Sequence, residues 1–202
     1  MSSSVWIVVL IKDFGAAKTR LAAVLAPETR WTLAVTNALL ALDSAMRIAP
    51  TLAICGSVES GEVARERGAS VVVEASPSGQ NAAANLGLGE AAARGGDAAL
   101  ILSSDLPLVD SRALEDLLAR AAALPGPVAV AAPALRRHGT NALYLRPPND
   151  FQLHFGDDSL RQFADEARRR GRAFVVHEDE RLALDIDEPS DLATWEQLRK
   201  TA

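Results

Sequence analysis

This sequence predicts a three-layer α/β fold on a mainly parallel sheet, and three observations predict it. Strand-like and helix-like segments alternate almost from end to end. The segments at 5–11 and 98–102 are short, continuous apolar runs, as strands buried on both faces are. After Pro125 strands follow one another without a full helix between them, so antiparallel pairing is expected in the second half.

The elements follow in order. Residues 5–11 are the first strand. A helix is expected over 27–47, with Leu33 and Leu40 at helical spacing and Pro27 suited to its first turn. A short strand at 51–55 ends at Gly56, and a short helix at 59–67 is stopped by Gly68. A third strand, 70–73, leads into a Pro- and Gly-containing loop. Residues 81–94 read as an Ala-rich helix ended by Gly95 and Gly96. The buried strand 98–102 stops at Ser103-Ser104-Asp105. The helix at 110–123 has an acidic N-cap in Asp110. Strands are expected at 127–132, 141–145, 172–176 and 182–186, with helices at 159–171 and 189–199. No repeat and no polar linker divides the chain, so 1–202 is read as a single domain.

Composition excludes several classes. Asp and Glu number 26 against 21 Lys and Arg, which argues against a nucleic-acid or anionic-membrane surface. Aromatic residues make up only 4%, too few for base-stacking platforms. Cys55 is the sole cysteine, so neither an intrachain disulfide nor a multi-cysteine metal site is expected. Residues 1–4 lack a charged leader region, and the apolar run after them is too short to span a bilayer. A cytoplasmic setting is the default expectation.

Four pieces carry chemistry. The loop after the first strand holds Lys12, Lys18 and Arg20 against Asp13. It emerges where open α/β sheets bind ligands, and its cations suit a polyanion such as a nucleoside triphosphate. It fits neither GxxxxGK[ST] nor GxGxxG, so side-chain cations rather than a glycine nest would hold phosphate; a solvated basic turn has the same composition. Asp105 follows an apolar strand and precedes Leu106-Pro107. A carboxylate there suits Mg²⁺ over a nucleotide phosphate, or a turn that bonds its own backbone. In Leu182-Ala183-Leu184-Asp185-Ile186-Asp187, strand periodicity puts Asp185 and Asp187 on one face, where they could complete a metal site with Asp105. Asp187 also suits a cap on the last helix. Finally, His138-Gly139-Thr140-Asn141 opens a strand, and Phe155-Gly156-Asp157-Asp158-Ser159 opens a helix. A helix N-terminus accepts a small phosphate or carboxylate, although an ordinary N-cap at Asp158 or Ser159 explains the same residues. Ser78-Gly79-Gln80-Asn81 enters a helix and either touches a base or ribose or simply turns the chain. His138, His154 and His177 share no metal-ligand spacing, and no nucleophile–base order is legible.

KTRLA, SSDLP, GTNALYLRPP with FGDDS behind it, and LALDIDEPSDL appear in that order. This set resembles the 2-phospholactate/phosphoenolpyruvate guanylyltransferase family of coenzyme F-420 biosynthesis, over nearly the whole chain. The resemblance implies a nucleotidyltransferase-like (Rossmann-like) α/β/α fold. It also implies transfer of GMP from GTP to phosphoenolpyruvate, 2-phospho-L-lactate or 3-phosphoglycerate, with release of pyrophosphate. It implies that Lys12, Lys18 and Arg20 face phosphates and, with Asp105, serve catalysis. Gly79 and Asn81 would lie near the base. Thr140, Asn141, Gly156 and Ser159 would bind the acid, and Asp105, Asp185 and Asp187 would hold Mg²⁺. The chain departs from the family pattern at Phe163, where relatives often carry histidine, and at Ser103, where some carry a second acid. Two readings compete: a glycosyltransferase-like enzyme of the same fold that uses a nucleotide sugar, and a non-catalytic GTP-binding regulator. Small-molecule partners are expected, with no nucleic acid and no membrane; homodimer formation is left open.

Overall fold

A computed structural model describes residues 4–135 and 139–201. The first half is built from β1 (Val5–Ile11), α1 (Pro27–Met46), β2 (Thr51–Cys55), α2 (Val58–Glu66), β3 (Ser70–Val73), α3 (Gln80–Ala93) and β4 (Ala98–Ser103). The second half has α4 (Ser111–Ala122), β5 (Val128–Pro133), β6 (Thr140–Arg146), α5 (Ser159–Arg169), β7 (Ala173–Val176), α6 (Glu180–Ala183) and α7 (Pro189–Thr201). Most boundaries lie within one or two residues of those read from the sequence. The seven strands form one sheet in the order β3-β2-β1-β4-β6-β5-β7.

Strand β6 alone among the described strands is reversed: it pairs antiparallel with β4 and with β5, whereas the other four pairings are parallel. The expected antiparallel half is therefore this one strand. Leu102 stands opposite Ala142, so the first residues of β6 lie beside the last residues of β4. The reversal matters for function, because it brings Thr140 and Asn141 to the edge of the sheet where β1 and β4 end.

Alternation along the strands sends side chains to two separate cores. Ile7, Val9 and Ile11 of β1 pack with Leu42 of α1 and Leu114 and Leu117 of α4. Val8 and Leu10 face the other way, toward Leu88 of α3 and Phe163 of α5. Helices thus cover both faces, as the alternating sequence predicts. Caps agree with their residue types: Pro27 opens α1, and Asp110 Oδ1 accepts from Ala113 N at 2.8 Å at the start of α4.

One expected strand is absent. Residues 182–186 are the end of α6 followed by irregular chain, not a strand. Asp179 caps α6, its side chain accepting from Arg181 N. Leu182, Leu184 and Ile186 are buried, as the alternation required. Their backbone groups pair elsewhere: Ile186 N donates to Asp105 O at 3.2 Å, and Leu135 N donates to Ala183 O at 2.7 Å. The apolar alternation read correctly as burial, but no neighbouring strand offers a ladder. None of the described helices is long and apolar enough to cross a membrane.

Helix α3 approaches the sheet closely because Gly87 has no side chain. A Cβ there would meet Val8 Cγ1 at 2.3 Å and Ile54 Cγ1 at 3.1 Å. Gly87→Ala gains about 1 kcal/mol of helix propensity and loses more to overpacking. A net destabilisation of about 1–2 kcal/mol is expected, read as a lower urea midpoint at unchanged slope. An unchanged or higher midpoint would show that α3 can move away from β1 without cost.

Candidate functional site

A cleft of about 660 Å³ opens along the carboxyl-terminal edge of β1–β4 and the start of β6. This volume lies in the ordinary range for small-molecule sites. The strand register organises its floor. Ile11 stands opposite Cys55, Cys55 opposite Val73, and Leu10 opposite Ser103. The residues that follow therefore form one row, Glu74–Gly56–Lys12–Asp105, and all four line the cleft. Gly56 is needed in this row, because a Cβ there would lie 3.1 Å from Asp13 N.

The first loop folds back on itself. Asp13 Oδ1 accepts from Gly15 N at 3.0 Å, Phe14 is buried, and Lys18 takes the left-handed conformation at φ 59°. Such a backbone costs a non-glycine residue about 1 kcal/mol or more, so something must hold it. Lys18 Nζ donates to Asp105 Oδ2 at 3.1 Å and to the Ile186 carbonyl, with its side chain only 5% exposed. Lys18, expected to face phosphate, lines the cleft and also has a structural task. It is a buried staple joining the first loop, the β4 end and the 184–187 segment. Arg20 lines the cleft at its exposed rim: its Nη1 lies 3.0 Å from Asp187 and 3.5 Å from Glu188, at 63% exposure. Among the described residues Lys12 makes no ion pair, so it is the cation left for a ligand.

Burial disfavours ionisation of Asp105, but Lys18 and Lys12 outweigh it and hold the carboxyl below its usual 3.8. The Asp105 carbonyl is also occupied, by Ile186 N at 3.2 Å and Asn37 Nδ2 at 3.5 Å. Asp185 and Asp187 line the same cleft. Ahead of α7, Asp191 Oδ2 accepts from the backbone of Asp187 and Glu188 at 3.0 and 2.7 Å and fixes their position.

At the other end stand Thr140 and the start of α5. Ser159 Oγ donates to Thr140 Oγ1 at 3.0 Å. Thr140 and Gly156 line the cleft, whereas Ser159 is fully buried beneath them. Ser159 thus orients the Thr140 hydroxyl and leaves its proton for a ligand. Neither Asp158 nor Ser159 is an ordinary side-chain cap: Asp158 is left-handed with no cap bond, so the first N–H groups of α5 are uncapped by side chains. Gly156 has φ +129°, a conformation that glycine alone adopts easily.

Two asparagines have structural bonds. Asn141 lines the cleft, and its Nδ2 donates to the Leu182 and Ala183 carbonyls, both at 3.0 Å. Its amide holds the segment that carries Asp185. Asn81 exchanges bonds with Phe155, accepting from its N at 2.7 Å and donating to its O at 3.0 Å. Gly79 and Gln80 line the cleft in its place. Sequence reading missed Glu74, whose only signal was an acid directly after a strand. Phe163 is buried against Phe151 and Phe155, away from the cleft, while Ser103 lines it. His154 packs near Phe163 and His177 lies 3.9 Å from Asp179; His138 lies outside the described residues.

The described lining contains three cations, Lys12, Lys18 and Arg20, and six carboxylates, Asp13, Glu74, Asp105, Asp157, Asp185 and Asp187. Among the described lining residues carboxylates outnumber cations. A cation beside a polyanion offsets carboxylate charge of this kind. Among the described residues no three His, Cys, Asp or Glu side chains are gathered into a ready metal cage. The donor set is all oxygen, and Asp105 is held ionised. That fits Mg²⁺, which takes one or two carboxylates and completes its shell with phosphate and water.

Comparison with known proteins gives the family. The family model described as guanylyl transferase CofC like matches residues 5–195. A phosphoenolpyruvate guanylyltransferase of Rubrobacter xylanophilus is 38% identical over 202 residues, 96% of this chain and 94% of that one. One of Sphaerobacter thermophilus is 37% identical over 92% of this chain and 89% of that one. A 3-phospho-D-glycerate guanylyltransferase of Phenylobacterium zucineum is 33% identical over 87% and 82%. Among solved structures, a protein of Desulfovibrio desulfuricans G20, provisionally described as a nucleotide-diphospho-sugar transferase, superimposes with a TM-score of 0.83. It is 17% identical, and the match covers 99% of this chain and 89% of that one, which supports the fold.

Lys18→Met leaves the Asp105 carboxylate and the Ile186 carbonyl without their shared partner. A loss of about 1–3 kcal/mol is expected near neutral pH. Because the Asp105 pKa is lowered on folding, its contribution is present above the usual 3.8 and is lost as pH falls through the folded value. The stability gap between wild type and variant should therefore narrow on acidification, followed by chemical denaturation at stepped pH. A gap independent of pH would remove Asp105 from the pairing.

Proposed function

This chain belongs to the guanylyl transferase CofC-like family, and we propose that it transfers GMP from GTP to the phosphate of a small phosphorylated acid in coenzyme F-420 biosynthesis. The observation that carries this reading is one cleft in which Asp105, Asp185 and Asp187 stand between two anion-receptive ends. Lys12 marks the triphosphate end. Thr140, Gly156 and the α5 N-terminus mark the acceptor end.

An acceptor phosphate oxygen attacks the α-phosphorus of GTP. The new P–O bond forms as the bond to the β-phosphate breaks, and pyrophosphate leaves with the electron pair. A phosphate monoester has a second pKa of about 6, so the nucleophile is already largely ionised at neutral pH and no general base is required. Catalysis then rests on alignment and charge stabilisation. Asp105, with Asp185 or Asp187, would hold Mg²⁺. When bound, the ion offsets phosphate charge and polarises the α-phosphoryl group. Lys12 offsets charge on the leaving pyrophosphate, and Thr140 donates to the acceptor.

Phosphoenolpyruvate is the first acceptor to test, since it is named for relatives matching over nine tenths of this chain. Incubation with GTP, Mg²⁺ and, separately, phosphoenolpyruvate, 2-phospho-L-lactate and 3-phosphoglycerate should release pyrophosphate with at least one. Silence with all three would sink the proposal. Asp105→Asn should lower turnover by about a thousandfold with the fold intact by circular dichroism. Thr140→Ala should raise KM for the acid about tenfold and leave KM for GTP unchanged. Equal effects on both KM values would move Thr140 out of the acceptor end.

A further inference from the structure

Glu74 is unexplained by the transfer reaction. It continues β3 past Val73, and its backbone is fixed by Glu74 N donating to Cys55 O at 2.9 Å. It shares the floor row with Gly56 and Lys12, one strand further out at each step. Strands lie about 4.8 Å apart, so its backbone stands about 10 Å from that of Lys12. Alternation puts Lys12, Gly56 and Glu74 on the same face as Leu10, Ile54 and Val72, the face covered by α3. Among the described residues its carboxylate has no hydrogen bond or ion pair. Burial raises its pKa, as expected of an acid that lacks a donor.

The surroundings are those of a flat ligand with polar edges. Leu10, Ile54 and Ala83 form an apolar wall of the cleft, and Gly56 leaves the floor open between Glu74 and Lys12. Gly79, at φ +100°, turns the chain so that Gln80 enters the cleft at the start of α3. The phosphate end of the cleft lies at Lys12 and Asp105, so a nucleoside running away from it along the row ends at Glu74.

We propose that Glu74 reads the guanine base, its two carboxylate oxygens accepting from the N1–H and the exocyclic N2 amino group. Adenine and cytosine present no such pair of adjacent donors. An ionised acceptor facing two N–H groups is a strong bond of the charge-assisted kind. The Gln80 amide stands nearby to donate to the guanine O6 carbonyl. This inference rests on the cleft being a GTP site and adds how that site selects its nucleotide.

Binding separates it from the transfer reaction. Titration calorimetry of the full chain with Mg²⁺ would compare GTP, inosine triphosphate, which lacks the N2 amino group, and 2′-deoxy-GTP. Wild type should prefer GTP to inosine triphosphate by about tenfold or more, the worth of a hydrogen bond to a charged group. Glu74→Gln should reduce that preference to about twofold with its thermal midpoint unchanged. The ratio of GTP to 2′-deoxy-GTP should be the same in both proteins. No preference in wild type, or the same preference in Glu74→Gln, would overturn the assignment. So would a variant that changes only the 2′-deoxy-GTP ratio, which would place the ribose at Glu74. If the base preference behaves as expected but no acid yields pyrophosphate, the transfer reading fails and the base assignment stands. If pyrophosphate is released and Glu74→Gln leaves the base preference unaltered, the transfer reading stands and the base assignment fails.

Discussion

The contact on which the site depends is the Lys18 ammonium group, shared between the Asp105 carboxylate and the Ile186 carbonyl. It ties together three pieces of chain that are far apart in sequence. Removing it would leave a partly buried carboxylate and a buried carbonyl without their donor, a larger penalty than the bond itself is worth. The left-handed backbone at Lys18 is held by the same contact. Asn141 completes the arrangement from the other side by holding the Leu182 and Ala183 carbonyls. The segment bearing Asp185 and Asp187 therefore has no regular structure from residue 184 to 188, yet it is fixed from the first loop, from the β4 end and from β6.

Charge then decides what the cleft can hold. Among the described lining residues three cations sit among six carboxylates, and one of the cations is paired with Asp105. Arg20 is well exposed and paired with Asp187, where solvent screens it and its worth is small. A divalent cation shared between phosphate and these carboxylates would offset the charge on both.

In the proposed reaction the reversed strand supplies the second substrate's place. In a wholly parallel sheet Thr140 would begin its strand at the opposite edge. Because β6 runs against β4, the Thr140–Ser159 pair and the uncapped start of α5 reach the same edge as the phosphate loop. Two anion-receptive ends then share one cleft, and the pre-ionised acceptor needs only to be aligned.

Much of this was legible in the sequence. Continuous apolar runs gave the central strands, and Gly, Pro and Asp residues marked most element ends, because these signals depend on local backbone preference and burial. The same reasoning correctly placed Asp105 at a strand end and Asp185 and Asp187 on one side of their segment. It misread residues 182–186 as a strand, since burial alternation looks the same whether or not a partner strand is present. Nor could it show that Lys18, Asn81 and Asn141 tie the frame together, because a polar residue beside a cleft has the same letter whether it faces in or ties the wall together. By itself the sequence determined the layers, the cleft edge and the residue types gathered there. Only the tertiary structure decided which polar groups, such as Lys18 and Asn141, hold the frame, because hydrogen-bond partners a hundred residues apart are set by packing and leave no local pattern.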